Sequence, residues 1–325
     1  MADVSPKVRA AVVQAAPVLF DRDATVDKVC RLIGEAAADG AQLVVFPEAF
    51  VAGYPRGLAF GTAVGVRKPE GRRMWQRYWD SAVDVPGPAT EAIGAAAAET
   101  GAYVAVGVTE RDARFRGGRV FCTLLYFGPD GRLLGTHRKL RPVAAERLLW
   151  GQGDGSTLTV IDTPLGRIGG LLCWENYMPL ARMALYGKGI DLYLAPTVDD
   201  RDTWQPSARH IAFEGRCFLM ASCQYFTRSM VPGDMDPLSE LADMPEVLCR
   251  GGSVIISPLG EVLAGPLFGG EGILSAELDL ADVVRARYDF DVVQDYGRPD
   301  VFQLLVNEQP MSPVGFSAGD MPDEA

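Results

Sequence analysis

Apolar residues recur along this chain in two rhythms, short β-branched runs and longer stretches with apolar positions three and four apart. The first kind reads as buried strand and the second as amphipathic helix. The runs predict strands at Val8–Gln14, Leu43–Phe46, Tyr103–Val108, Val120–Phe127 and Leu133–His137, then at Arg167–Leu172, Leu192–Ala195, Phe218–Ser222, Ser253–Ser257 and Ile273–Glu277. The helical spacing covers Ala24–Ala38, Ala89–Thr100, Pro179–Tyr186, Pro206–Gly215 and Ala281–Tyr288. Strands that exchange regularly with helices point to an α/β fold.

The pattern also repeats itself. DGAQLVVFPE (39–48) resembles KGIDLYLAPT (188–197), each with a helix-ending glycine, a buried run and a proline at its end. FGPDGRLLG (127–135) resembles ISPLGEVLAG (256–265), each a proline-glycine turn between apolar runs. Two such halves would make two sheets packed face to face with helices outside. With no low-complexity linker, residues 1–302 read as one domain and 303–325 as a tail, disordered at its tip SAGDMPDEA or used in contacts between copies. Residues 54–82 are long, glycine-rich and aromatic, unlike a minimal connector.

Composition narrows the partners. The net charge of −11, with basic residues scattered, argues against nucleic acid or an anionic membrane surface as partner. No apolar stretch reaches the roughly 18 residues of a membrane helix. MADVSPKVRA lacks the basic-then-apolar layout of a secretory signal, so a cytoplasmic protein is expected. The six cysteines form no CxxC and should be reduced there. The two histidines, His137 and His210, sit in no metal-binding spacing, so no metal and no cofactor are expected.

Among the cysteines, Cys173 stands apart in GGLLCWENYMPLAR, between a buried run and a polar turn. Free cysteine is commonly a packing residue, and a reactive one needs a base or a positive field nearby. Three residues could supply these. Glu48 leaves a buried run in LVVFPEAF, where partial burial would make it a stronger base. Lys139 ends a strand in GTHRKLRP and could favour a thiolate or an oxyanion. Glu146 precedes GQGDGS, which lacks the ending of a phosphate loop and whose glycines suit tight turns. On spacing alone, each also fits an ordinary solvated residue.

Taken together and in order, FPEAFVAGYPRG, HRKLRPVAAERLLWGQGDGS and CWENYMPLAR resemble the nitrilases of the carbon–nitrogen hydrolase superfamily. The likeness continues through APTVDDRDTWQPSARHIAFEGRCF and GGSVIISPLGEVLAGP. The resemblance implies a four-layer αββα sandwich and a catalytic set of Glu48, Lys139 and Cys173, with Glu146 as a second glutamate. It implies hydrolysis of a small-molecule nitrile to carboxylic acid and ammonia through a covalent thioimidate and thioester. A homo-oligomer built from dimers is also implied. Tyr54, Trp174, Thr197 and Trp204 are the expected pocket lining, and their aromatic character suggests arylaliphatic or aromatic nitriles.

Other readings stay open at this level. An amidase or carbamoyl hydrolase of the same superfamily would use the same three residues. A silent binding protein on this fold would lose nothing by lacking one of them. A cysteine peptidase would pair Cys173 with His137 or His210.

Overall fold

Continuous apolar runs need cover on both faces, which two stacked sheets coated with helices provide. The computed structural model describes residues 6–112, 114–115, 117–234, 238–312 and 314. The chain opens with β1 (Lys7–Gln14), α1 (Arg22–Ala38) and β2 (Leu43–Val45), then a small hairpin of β3 (Thr62–Ala63) and β4 (Val66–Arg67). Helices α2 (Pro69–Ser81) and α3 (Pro88–Thr100) precede β5 (Tyr103–Arg111), β6 (Val120–Phe127) and β7 (Leu133–Arg138). Next come β8 (Val160–Thr163), β9 (Gly166–Gly170), α4 (Pro179–Gly187), β10 (Leu192–Leu194), α5 (Trp204–Gly215) and β11 (Phe218–Ala221). The order closes with β12 (Tyr225–Thr227), β13 (Val247–Ile256), β14 (Val262–Phe268), β15 (Gly272–Asp279) and α6 (Ala281–Arg287).

One sheet runs β15-β1-β2-β5-β6-β7; the other runs β12-β13-β11-β10-β9-β8, with β14 paired to β13. In each, three central strands are parallel (β1, β2, β5 and β9, β10, β11) and the flanking ones antiparallel. The internal repeat read from the sequence is therefore an architectural one. It matches β15-β1-β2-β5-β6-β7 to β8-β9-β10-β11-β13-β14, and α1 and α3 to α4 and α5.

Alternation along each strand separates the layers. Val8, Ala10 and Val12 of β1 join Leu192 and Leu194 of β10 and Phe218 and Met220 of β11 in the core between the sheets. Ala11 and Val13 turn the other way, toward Val29 and Ile33 of α1 and Ile93 and Ala97 of α3. Tyr193 and Leu219 likewise face Leu185 of α4 and Ala208 and Ile211 of α5. The result is an αββα sandwich. Among the described residues no helix is long and apolar enough to cross a membrane.

Three features depart from the expected elements. The segment 54–82 contains α2, which buries Gly71, Met74, Tyr78 and Ser81 along one face. That face is interspersed with arginines, which hid its period. Strand β13 begins six residues before the predicted Ser253, because Gly251 and Gly252, both at positive φ, bulge the strand without ending it. Beyond α6 the described residues form no helix or strand, yet the Met311 amide donates to Asp154 Oδ2 at 2.7 Å and Glu308 pairs with Lys188. The tip SAGDMPDEA lies outside the described residues.

Gly71 tests the packing of α2. A Cβ there would sit 1.9 Å from the Phe60 carbonyl oxygen. Alanine gains about 1 kcal/mol of helix propensity over glycine, but overpacking costs about 1–3 kcal/mol. Gly71→Ala should therefore lower the unfolding free energy in a denaturant titration; a stabilised variant would show that α2 does not press on Phe60.

Candidate active site

Strand ends on one edge of the two sheets carry the candidate residues, the usual place for function in parallel sheets. Glu48 follows β2, Lys139 follows β7, Cys173 follows β9 and Thr197 follows β10. The chain at Glu48 must pass close over β5. Gly107 permits this, since a Cβ there would lie 2.2 Å from the Pro47 carbonyl oxygen and 2.8 Å from Glu48 Cα. Gln224 Nε2 pins the Glu48 carbonyl at 2.8 Å.

Lys139 is wholly buried, and its Nζ donates to Glu48 Oε1 at 2.5 Å and to Glu146 Oε2 at 2.9 Å. Burial alone would strip its proton; the two carboxylates outweigh that and hold its pKa well above the usual lysine range. Glu146 is itself fixed, with Oε2 accepting from the Val143 amide at 2.6 Å and Oε1 from the Tyr54 hydroxyl at 2.7 Å. The glycines of GQGDGS serve close approach, not the tight turns expected. Gly153 donates its amide to the Lys139 carbonyl at 2.8 Å, and a Cβ on it would meet the Arg138 carbonyl oxygen at 2.2 Å.

Glu48 is fully buried, and desolvation pushes its pKa up to about 7, with Lys139 pulling down and Glu146 pushing up. Oε1 is shared by Lys139 and, at 3.5 Å, the Cys122 thiol, whereas Oε2 has no hydrogen-bond partner among the described residues. A carboxylate with one free oxygen beside a buried thiol is a base in waiting.

Cys173 opens a single 3-10 turn at a φ of 52°, a left-handed conformation unusual for a residue with a side chain. Its amide donates to the Pro196 carbonyl at 2.8 Å. Burial and Glu48 raise its pKa well above the usual thiol range, so the resting group is a thiol that needs a base. The Thr197 hydroxyl accepts from the Asp199 amide at 2.8 Å, which turns its own proton toward Cys173 Sγ at 3.2 Å.

A cavity of about 540 Å³ opens onto this group, with Tyr54, Glu146, Trp150, Cys173 and Trp174 in its wall. Tyr54 and Trp174 therefore stand where the sequence placed them. Thr197 lies behind the thiol instead of on the wall. Trp204 is a correction: as the first residue of α5 its indole is buried in the outer core, edge-on to Tyr177, and it does not line the cavity. Neither histidine partners Cys173. His137 spends both ring nitrogens on the Thr157 carbonyl and Glu175, and His210 is exposed beside Glu214. Among the described residues no group of three or more His, Cys, Asp or Glu side chains could hold a metal ion.

The sequence profile of carbon–nitrogen hydrolases matches residues 9–288. The chain belongs to the carbon–nitrogen hydrolase family. It is 56% identical over 309 residues to a protein of Sinorhizobium fredii named aliphatic nitrilase, covering 95% of this chain and 98% of that one. It is 51% identical over 313 residues to nitrilase 2 of Arabidopsis thaliana, covering 95% and 91%. Its fold matches a carbon–nitrogen hydrolase of Helicobacter pylori with a TM-score of 0.70 at 22% identity, covering 91% of this chain and 97% of that one.

Sequence reasoning missed two supports of this hydrolase site. Glu175 accepts the amides of Leu140 and Leu172, and Asn176 Nδ2 donates to the carbonyls of Leu171 and Cys173. Both sit in CWEN itself. Their signal was a charge and an amide placed directly after a buried strand.

The fixed donor at Thr197 is open to test. A hydrogen bond to a charged partner contributes about 1.5–3 kcal/mol, so Thr197→Val should slow iodoacetamide alkylation of Cys173 about tenfold or more. Thr197→Ser should keep most of the rate. Equal rates in all three proteins would remove the hydroxyl from thiolate stabilisation.

Proposed function

We propose that this carbon–nitrogen hydrolase is a nitrilase that converts an arylaliphatic or aromatic nitrile to its carboxylic acid and ammonia, with Cys173 as the covalent nucleophile. The observation that carries the reading is the cavity wall, which Cys173 shares with Leu58, Phe60 and Leu149, while buried Glu48, with an unpartnered oxygen, acts on its thiol. An apolar cavity of this size suits a neutral substrate with a hydrophobic body.

In the proposed sequence, Glu48 takes the thiol proton as sulfur bonds to the nitrile carbon and delivers it to nitrogen, giving a thioimidate. Water then adds across the C=N bond to form a tetrahedral intermediate. Ammonia leaves with a proton relayed by Glu48, and a thioester remains. A second water, deprotonated by Glu48, releases the acid and regenerates the thiol. Lys139 and the Trp174 amide face the developing negative charge. Glu146 holds Lys139 and, with Tyr54, the water. Loss of the thiol instead of ammonia from the tetrahedral intermediate would leave an amide.

The reading also places the enzyme in the cytoplasm, where its six free cysteines stay reduced, and in an oligomer of dimers, for which exposed Leu180 and Phe213 on α4 and α5 offer apolar surface.

An ammonia-release screen over aliphatic, aryl and arylacetonitrile substrates, with matching amides, tests the substrate class. Preference for short aliphatic nitriles would overturn the aryl assignment, and preference for amides would overturn nitrile hydrolysis. Cys173→Ala should abolish turnover, and Glu48→Gln should lower kcat by about 10²–10⁴-fold while leaving the fold intact. The base works only when ionised, so its raised pKa moves the acid limb upward. kcat/KM should fall as pH drops through about 7, and a limb near the ordinary glutamate range would show that Glu48 is not the base.

A further inference from the structure

We propose that His137 and Glu175 form a positioning pair that sets Lys139 against Cys173 by holding the backbone beside each of them. The inference rests on the reading of Cys173 as nucleophile and extends it to the groups that place it.

One carboxylate spans the two sheets. Glu175 Oε1 accepts the Leu140 amide, next to Lys139, at 2.5 Å, and Oε2 accepts the Leu172 amide, next to Cys173, at 2.8 Å. The exits of β7 and β9 are thus tied through a single side chain that water does not reach. Such a link keeps the ammonium and the thiol in register, because neither strand end can shift without losing a buried hydrogen bond.

A buried carboxylate needs donors around it, and His137, two residues before Lys139, supplies one. Its Nδ1 lies 2.9 Å from the Thr157 carbonyl, which can only accept, so Nδ1 carries a hydrogen. Its Nε2 lies 3.0 Å from Glu175 Oε2, an oxygen that already accepts an amide. A hydrogen on Nε2 as well makes His137 an imidazolium, the form that its contact with Glu175 favours. Glu175 correspondingly holds the His137 pKa above its usual value against the effect of burial. Cys122 and Tyr126 of β6 and Tyr193 of β10 also feel Glu175, and all three have pKa values raised by burial and so are neutral.

The test compares His137→Leu, which has no donor, with His137→Gln, whose amide can reach toward Glu175. The readouts are iodoacetamide alkylation of Cys173, and kcat and KM for an active nitrile per titratable thiol. His137→Leu should slow alkylation about tenfold and lower kcat about 100-fold with KM changed less than threefold, the mark of lost alignment and not of lost binding. His137→Gln should recover most of both. Wild-type behaviour in His137→Leu, or equal damage in both variants, would overturn the pair. Should His137→Leu fail to fold, Glu175→Gln replaces it, since its amide cannot accept both backbone protons, and wild-type rates there overturn the proposal equally. Alkylation needs no nitrile turnover. A wild-type protein inert to every nitrile would sink the proposed function while the alkylation comparison still decides on the pair.

Discussion

A lysine ammonium with no contact with water is the constraint around which the rest of this site is arranged. Lys139 is stable there only because Glu48 and Glu146 both reach it, since an unpaired buried ion costs several kcal/mol. Two carboxylates on one ammonium leave the group with an excess negative charge. Burial is what pushes the Glu48 pKa up to about 7, with Lys139 pulling it down and Glu146 pushing it up. The proton affinity of Glu48 is therefore set by its burial and its neighbours together. Tyr54 and the Val143 amide hold Glu146 in place, close enough for its charge to act on Glu48.

The doubled architecture explains how so many groups meet at one point. Glu48 and Lys139 come from the first sheet, Cys173 and Thr197 from the second. Glu48 and Thr197 end the two segments that resemble each other, each directly after a proline at the exit of the middle parallel strand. Equivalent positions of the two halves thus supply two side chains that act on the thiol, a carboxylate that raises its pKa and a hydroxyl that donates to the sulfur. Packing the sheets face to face turns a repeat into a complementary pair.

The sandwich was legible because strands buried on both faces read as unbroken apolar runs, and prolines and glycines marked their ends. Strand β13 was truncated in that reading because Gly251–Gly252 looks like a turn until its neighbours are known. Helix α2 was hidden because arginines separate its buried residues. Glu48, Lys139 and Cys173 were legible from resemblance, and their spacing could not have joined them, since the contacts run between residues tens of positions apart. Trp204 was misplaced for a related reason: proximity in a motif does not say which face of α5 a side chain takes. Glu175 passed unnoticed because its position directly after a buried strand does not by itself show burial, which arises only when the exit of β7 in the first sheet covers it.

The cavity divides its duties along the same lines. One wall is Trp174, whose indole Nε1 donates to Asp199 Oδ2 at 2.9 Å while the Arg201 guanidinium, itself paired with Asp199, stacks 4.5 Å from the ring centroid. That wall is braced by charge-assisted bonds and sits one residue from Cys173. The facing wall is the segment from Tyr54 to Thr62, held by the packing of Phe60 against Trp75 and Tyr78 of α2. It carries no part of the Glu48–Lys139–Cys173 set, and its Tyr54 donates to Glu146. Substitutions from Leu58 to Thr62 can therefore reshape the space for a substrate without disturbing the buried charges. Changes around Trp174 move the indole and Cys173 together, so the cavity can be reshaped most freely in the segment that leads into α2.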